Sequence, residues 1–549
     1  MLEKFCVGLV RILLGGILFF LTLLSAVVTC RVYGGSEIVQ YGRDSLFLHL
    51  FFGAGVIGLT VFYRRRKERK CRKNQWLLLA AAAYLFWILL VPSWGGSDSH
   101  QCMASAQGLL QGDFSAWEPV AYSYGTAEGP LGYAYTYPSQ NGLILYMAVL
   151  AFFFGDAAYV VSQILNIGFF ILGIVSLQRM TVRGNERCSL LLWMACCLPF
   201  SFYILFVYGT MPGFGLSCLA MERLVRYVEE GRGRDFWIGA AAVAAAVILK
   251  SNYEIVLVAL FLYLSSSGVF RRKARLLVAA VLLITVYVIG NRGIQTGISS
   301  VTGRTVSDGA PMIAWVQMGL EESKRGPGWY NGYQVKLFQK ADGDADLAAA
   351  WAQADLRRTI SDMAGEPAKA ADFFVRKIES IWAEPTFQSL WIQEVGNTSW
   401  AEGSPPWELF KEEGGLNRLY VFAANLLQTF VYAMACVWVI AGMSAKGSRS
   451  KHVLMKRTWE KRIEAEKTVK AVKKQGMETV WESQERGEPD RWGMLLPGIV
   501  FIGGFLFHLV WEAKGQYSVV YFMLLLPYAY LGMERVADVF LDVTGAGKE

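Results

Sequence analysis

Apolar residues gather into long runs, at about residues 7–28, 45–63, 75–92, 157–177, 188–207, 214–227, 236–249, 254–264, 274–290, 419–441, 494–510 and 518–531. A helix needs about 20 such residues to cross hydrocarbon, and the alternation of a membrane barrel is missing from this chain. The pattern predicts an all-α polytopic membrane protein with about twelve crossings. One shorter apolar run, 141–155, sits apart. Counting it as a crossing puts Arg179, Arg183 and Arg187 outside and inverts every later loop, against the preference for basic residues inside. It is therefore expected on the outer side, as a re-entrant or surface-lying helix.

With that choice the basic stretches 64–70, 179–187, 223–234 and 271–275 all fall inside. The chain divides into two N-terminal helices with a basic loop (1–74), a transmembrane core (75–290) with a first exterior loop (93–156), an exterior cap (291–417), one helix (418–443), a charged cytoplasmic segment (444–492) and two last helices with a tail (493–549). The cap contains a helical pattern at 344–377, and 446–491 reads as a solvated helix. The N-terminal run resembles a signal sequence but lacks a small-x-small cleavage site, so it is expected to be retained. The expected setting is a bacterial plasma membrane, with both termini cytoplasmic.

Composition agrees: of 549 residues 54% are hydrophobic, too many for a soluble globule, and the mean hydropathy is +0.33. The net charge of +8 resides in the short inner stretches and forms no basic face for nucleic acid. Nine cysteines lie in or beside apolar runs without disulfide or zinc spacing. No phosphate-cradling glycine loop or serine triad appears.

Candidate chemistry starts at Asp98, which follows the third run within a few residues. Cys102, Met103, Ala106, Leu109 and Leu110 recur after it at helical spacing, predicting a helix along the bilayer surface with one face in lipid. Asp98 is expected to cap that helix, with Gln101 completing a capping box, and so to be held rigid at the membrane edge. The same edge collects the turn 208–212, Lys250, Glu512 and Lys514. Charges at that depth are costly unless paired, solvated or used, and two lysines there suit a lipid-linked phosphate. Asp113, after Gly112, is the rival base, but the glycine before it favours a plain turn residue; His100 is an accessory candidate. The exterior tryptophans Trp315, Trp329, Trp382, Trp391, Trp400 and Trp407 are candidates to stack on sugar rings.

An acid soon after an early span, a surface helix, and then Tyr137-Pro138-Ser139-Gln140-Asn141-Gly142 opening another apolar helix resembles the GT-C glycosyltransferases, particularly the protein-mannosyltransferase and aminoarabinose-transferase group. The resemblance spans about 75–530 and implies a GT-C-like bundle, Asp98 as the catalytic acid of the first exterior loop, and a polyprenyl-phosphate sugar as donor. It makes Lys250 and Lys514 the candidates to hold the donor phosphate, with Tyr137, Gln140, Glu512, Gln516 and Tyr517 as candidate substrate contacts. The acceptor is a glycan, a lipid or a protein. A divalent metal is compatible with this chemistry, although no metal-ligand cluster is visible. Two departures stand out: the family's second adjacent acid is replaced by Ser99 and His100, and its late arginine-tyrosine pair by Gln516-Tyr517. The competing readings are a lipid-linked sugar flippase and a non-catalytic component of an envelope complex.

Overall fold

The computed structural model describes residues 2–33, 36–65, 73–91, 93, 96–122, 130–181, 187–394, 400–443 and 492–544. Most of the basic stretch 64–70, residues 182–186 and 395–399, and the charged segment 446–491 lie outside these. The described chain is a helical membrane protein. By length and composition eight of its helical segments can cross a bilayer, or nine if one sharply bent pair is counted, against the twelve expected.

The apolar runs become α1 (Leu2–Val27), α2 (Leu46–Arg65), α3 (Lys73–Leu90), α4 (Ser97–Gln111), the short α5 (Tyr133–Thr136), α6 (Asn141–Phe154), α7 (Ala158–Thr181), α8 (Arg187–Ala195) and α9 (Leu198–Ser201). After these come α10 (Thr210–Glu230), α11 (Gly233–Leu249), α12 (Glu254–Arg271) and α13 (Ala274–Thr302). The shortfall in crossings has local causes. The run at 188–207 is interrupted where Pro199 opens α9, and the chain turns by 120° before α10. The apolar part of α3, Gln75–Leu90, and the whole of α11 are each shorter than 18 residues.

Between α1 and α2 the chain forms an element the hydropathy pattern did not indicate, an antiparallel hairpin of β1 (Val28–Tyr33) and β2 (Ile38–Arg43), with Val28 opposite Arg43 and Tyr33 opposite Ile38. Its edges are not left open. Cys30 N donates to Ala383 O at 2.8 Å on one side, and Val39 N donates to Arg325 O at 2.9 Å on the other.

Both carbonyl partners belong to the cap, which carries α14 (Met312–Gly319), α15 (Tyr333–Lys340), α16 (Ala345–Gly365), α17 (Pro367–Trp382), α18 (Trp391–Glu394) and α19 (Pro405–Phe410). The helical pattern at 344–377 is thus two helices: the Asp344 carboxylate caps α16 through Leu347 N at 2.9 Å, and Pro367 starts a new helix where the first cannot continue. Ala314, Phe338, Ala348 and Ala352 form a small core of their own. Lys377, fully buried, fastens the cap by donating to the carbonyls of Gly319, Leu509 and Trp511. The last helices are α20 (Gly415–Met443), α21 (Leu496–Val510) and α22 (Gly515–Val543).

The helix ends sort into two layers. One holds arginine-rich pairs: Arg64 with Glu534 and Asp538, Arg223 with Asp235 at 2.9 Å, and Arg226 with Glu222 at 2.6 Å. The other holds the hairpin, the cap and the helix ends near Asp98, Lys250 and Lys514.

Candidate active site

Asp98 lies in the first turn of α4 but is not its cap. The N-cap is Gly96, which makes no side-chain bond, so the expected capping box is absent; the buried Gln101 Oε1 also lacks a partner among the described residues. The preceding Ser97 sits in the left-handed region at φ 54°, which brings Asp98 one residue into the helix. Its Oδ2 instead accepts from Tyr208 Oη at 3.3 Å, and Gln140 Nε2 donates to that same hydroxyl at 2.7 Å. The α4 face expected in lipid packs on protein, with Cys102 and Ala106 buried in the core that also holds Ile144, Met147 and Ala148 of α6.

The segment 206–210 is the bracket of the site. Ser99 Oγ donates to Val207 O at 2.6 Å, tying α4 to it. Lys250, just past the end of α11, donates to Tyr208 O at 3.3 Å and Thr210 Oγ1 at 3.1 Å, with its ammonium 4.2 Å from the Tyr208 ring centre. Gly209 makes this approach feasible: its φ is 74°, and a Cβ there would come within 2.6 Å of Leu249 O. Asp98 and Lys250 thus flank one tyrosine, from two distant parts of the chain.

The other wall is the stretch 511–517. Ala513 N donates to Gly328 O at 2.8 Å and Gln516 N to Gln388 Oε1 at 3.2 Å, fixing it against the cap. Lys514 reaches Glu37 at 3.2 Å and lies 5.0 Å from the Trp391 ring centre. Glu37, at the hairpin turn, also pairs with Arg325 and accepts from Gln388 Nε2 at 3.0 Å. Between the walls runs a narrow cleft of about 10 Å³, lined by Thr210, Lys250, Asn252 and Val256 from one part of the chain and by Gln516, Tyr517, Val520 and Tyr521 from the other.

Electrostatics distinguishes the two lysines. Burial pulls Lys250 down to about 7, with Asp98 opposing the fall and Lys514 adding to it. Burial also disfavours charge on Lys514, but Glu37, Glu512 and Asp98 together outweigh it and leave this lysine raised. Glu512 is raised to about 7 by burial, against the pull of Lys514. One lysine is therefore already neutralised by carboxylates. The other is poised to bind a proton when an anion arrives beside it.

The structure brings together Asp98, Lys250, Lys514, Glu512, Gln140, Gln516 and Tyr517. Tyr137 adjoins them through Tyr330, whose hydroxyl bonds to it, and both rings sense Asp98 and Glu512. Asp113 is not among them: it stands at the far end of α4, about 20 Å away at 1.5 Å per residue, where its Oδ1 accepts from Ser115 N at 2.9 Å in a turn. His100 is exposed, two positions beyond Asp98 and so on another face of the helix. Trp329 and Trp382 are fully buried, and Trp315 stacks on Trp511 with ring centres 6.1 Å apart, so these three build the cap and its seam. Glu37, Arg325, Gln388 and Tyr330 escaped the sequence reading. Glu37 carried one usable signal, as an acid in a short loop between two apolar runs. Among the described residues no three His, Cys, Asp or Glu side chains gather to hold a metal ion. Compared with family models, with curated proteins and with solved structures, the chain gives no match.

Proposed function

We propose that the chain is an inverting membrane glycosyltransferase of the GT-C type, transferring a sugar from a polyprenyl-phosphate donor to an acceptor hydroxyl. Asp98 takes the hydroxyl proton as the acceptor oxygen bonds to the anomeric carbon and the bond from that carbon to the phosphate oxygen breaks. Lys250 stabilises the negative charge that the departing phosphate gains, with Lys514 behind it. A phosphate leaves without needing a proton, so a single base suffices. The observation that carries this reading is the grouping of a carboxylate and two lysines at one helix-end layer: Asp98 accepts from the Tyr208 hydroxyl, Lys250 bonds Tyr208 O on the other side, and Lys514 stands close enough to act on Lys250.

The proposal includes twelve crossings, with the site facing outward and both termini inside. The arginine-rich layer opposite the site supports that orientation. Supporting the count, α11 joins the two layers although it is short, with Asp235 paired to Arg223 at one end and Lys250 bonded to Tyr208 O at the other. The test is incubation of the purified protein with defined polyprenyl-phosphate sugars and acceptors, read as a mass shift of the acceptor. Asp98→Asn is expected to reduce transfer by about 100-fold or more while inserting normally. Full activity in that variant would remove Asp98 from the role, and sugar-lipid translocation without product would favour the flippase reading.

A further inference from the structure

A second cavity, of about 280 Å³, lies away from the cleft, between the hairpin and α20. Its polar lining includes Arg31, Gln40, Arg43, Asp44 and Asn425. The register explains part of the grouping, since Thr29 and Arg31 oppose Gly42 and Gln40 and place one face of the hairpin over α20. Gly42 contributes no side chain to that face, which leaves the space.

Asp44 does not cancel the arginines through a direct pair. Its Oδ2 accepts from Thr29 Oγ1 at 2.6 Å, from His49 Nε2 at 3.0 Å and from Asn425 Nδ2, and its Oδ1 accepts from Ser45 N at 2.6 Å. Burial alone would raise this carboxyl, but those bonds outweigh it and hold it below its ordinary value. Asp44 therefore serves as an ionised hub that locks the hairpin, α2 and α20 together. Arg31 and Arg43 are both exposed, and Arg31 senses Glu412 from the cap.

Below the arginines the surface is apolar. Phe422 and Val421 line the cavity, and Phe47, Phe51 and Leu419 are more than half exposed on the adjoining turns of α2 and α20. Guanidinium groups over an apolar wall, at the level where spans begin, match a phosphodiester whose chains run into the bilayer. We infer that this cavity is a second site, separate from the cleft, that binds the phosphate headgroup of an anionic lipid. The inference does not depend on the sugar-transfer reading.

The test uses the full chain in neutral detergent, with phosphatidylglycerol, phosphatidylcholine or soluble glycerol phosphate added, and binding counted by native mass spectrometry. The expected result is preferential retention of phosphatidylglycerol, reduced tenfold or more in Arg31→Gln/Arg43→Gln and partly restored in Arg31→Lys/Arg43→Lys. Lys250→Met, in the cleft, is expected to keep the preference. Glycerol phosphate binding lost in the Gln pair would retain the phosphate site but assign it a soluble ligand. Equal retention of the two lipids by the wild type, or an undiminished preference in a correctly folded Gln pair, would overturn the inference.

Discussion

Lys250→Met separates folding from function at the cleft. In an unfolded chain this lysine holds its proton up to an ordinary value near 10.5, whereas burial in the folded protein lowers that to about 7. Between the two the unfolded state binds more protons, so the folded protein gains stability as pH rises from about 7 toward 10.5, and the penalty is complete below about 7. At 1.36 kcal/mol per pKa unit the upper bound is about 5 kcal/mol; partial exposure of the side chain brings the working figure to about 2 kcal/mol. Methionine fills similar space and removes the charge, at the loss of the bonds to Tyr208 O and Thr210 Oγ1, each worth about 1 kcal/mol or less. The variant is expected to unfold about 2–3 °C higher than wild type at pH 6.5, with the advantage gone at pH 9.5, while donor binding falls at both. Thermal unfolding in detergent, followed by tryptophan fluorescence, reads the first effect, and titration with a polyprenyl phosphate reads the second. A variant less stable than wild type at pH 6.5 would show that Lys250 is a strut, and the argument from burial would fail.

Glu37→Gln keeps the shape of the hairpin turn but leaves Lys514 and Arg325 without their shared carboxylate, and is expected to cost about 2–4 kcal/mol, seen as a fall in the unfolding temperature. Lys377→Met should act opposite to Lys250→Met: it strands three carbonyls, on Gly319, Leu509 and Trp511, so the protein loses stability at pH 8 and residues 312–410 become cleavable by protease. A cysteine placed at Arg179 in a background without native cysteines should resist an impermeant thiol reagent in intact cells, while one at Asp346 in α16 should react; reversed labelling refutes the outward site.

The spans that hydropathy located are those with an unbroken apolar stretch, such as α1, α13 and α20. The hairpin was missed because β1 follows directly on the apolar end of α1 with no polar break, and a strand of six residues is too short to stand out beside a membrane helix. Asp98, Lys250, Glu512 and Lys514 were legible for one physical reason: each is a charge at the end of an apolar run, where an unused charge is costly. Their partners were not. Glu37 reaches Lys514 across most of the chain, and Tyr208 mediates between Asp98 and Lys250 only because Gly209 lets the backbone turn there. The Asp98 cap was misread because Asp at a helix start fits both N-cap and first turn, and the conformation of Ser97 decides between them.

Around α6 the chain departs from the single straight helix that its apolar length would allow. By apolar length 138–181 is one continuous stretch of 44 residues, which as a straight helix would run to about 66 Å, twice the hydrocarbon thickness. The chain breaks it at Gly155, whose φ of 53° ends α6, and the next residue, Asp156, is exposed. At the start of α6, Asn141 accepts from Trp117 Nε1 at 3.0 Å, and Gly142 lies so close to Ile248 O that a Cβ would sit 2.1 Å away. Ile248 precedes Lys250 by two residues. Just past the other end of α6, the Tyr159 hydroxyl is 3.4 Å from Ser99 Oγ, which itself bonds the bracket beside Tyr208. Both ends of α6 thus lie near residues of the layer that holds Asp98 and Lys250. At the far end of α7, Arg179 reaches Glu222 at 3.7 Å, in the arginine-rich layer.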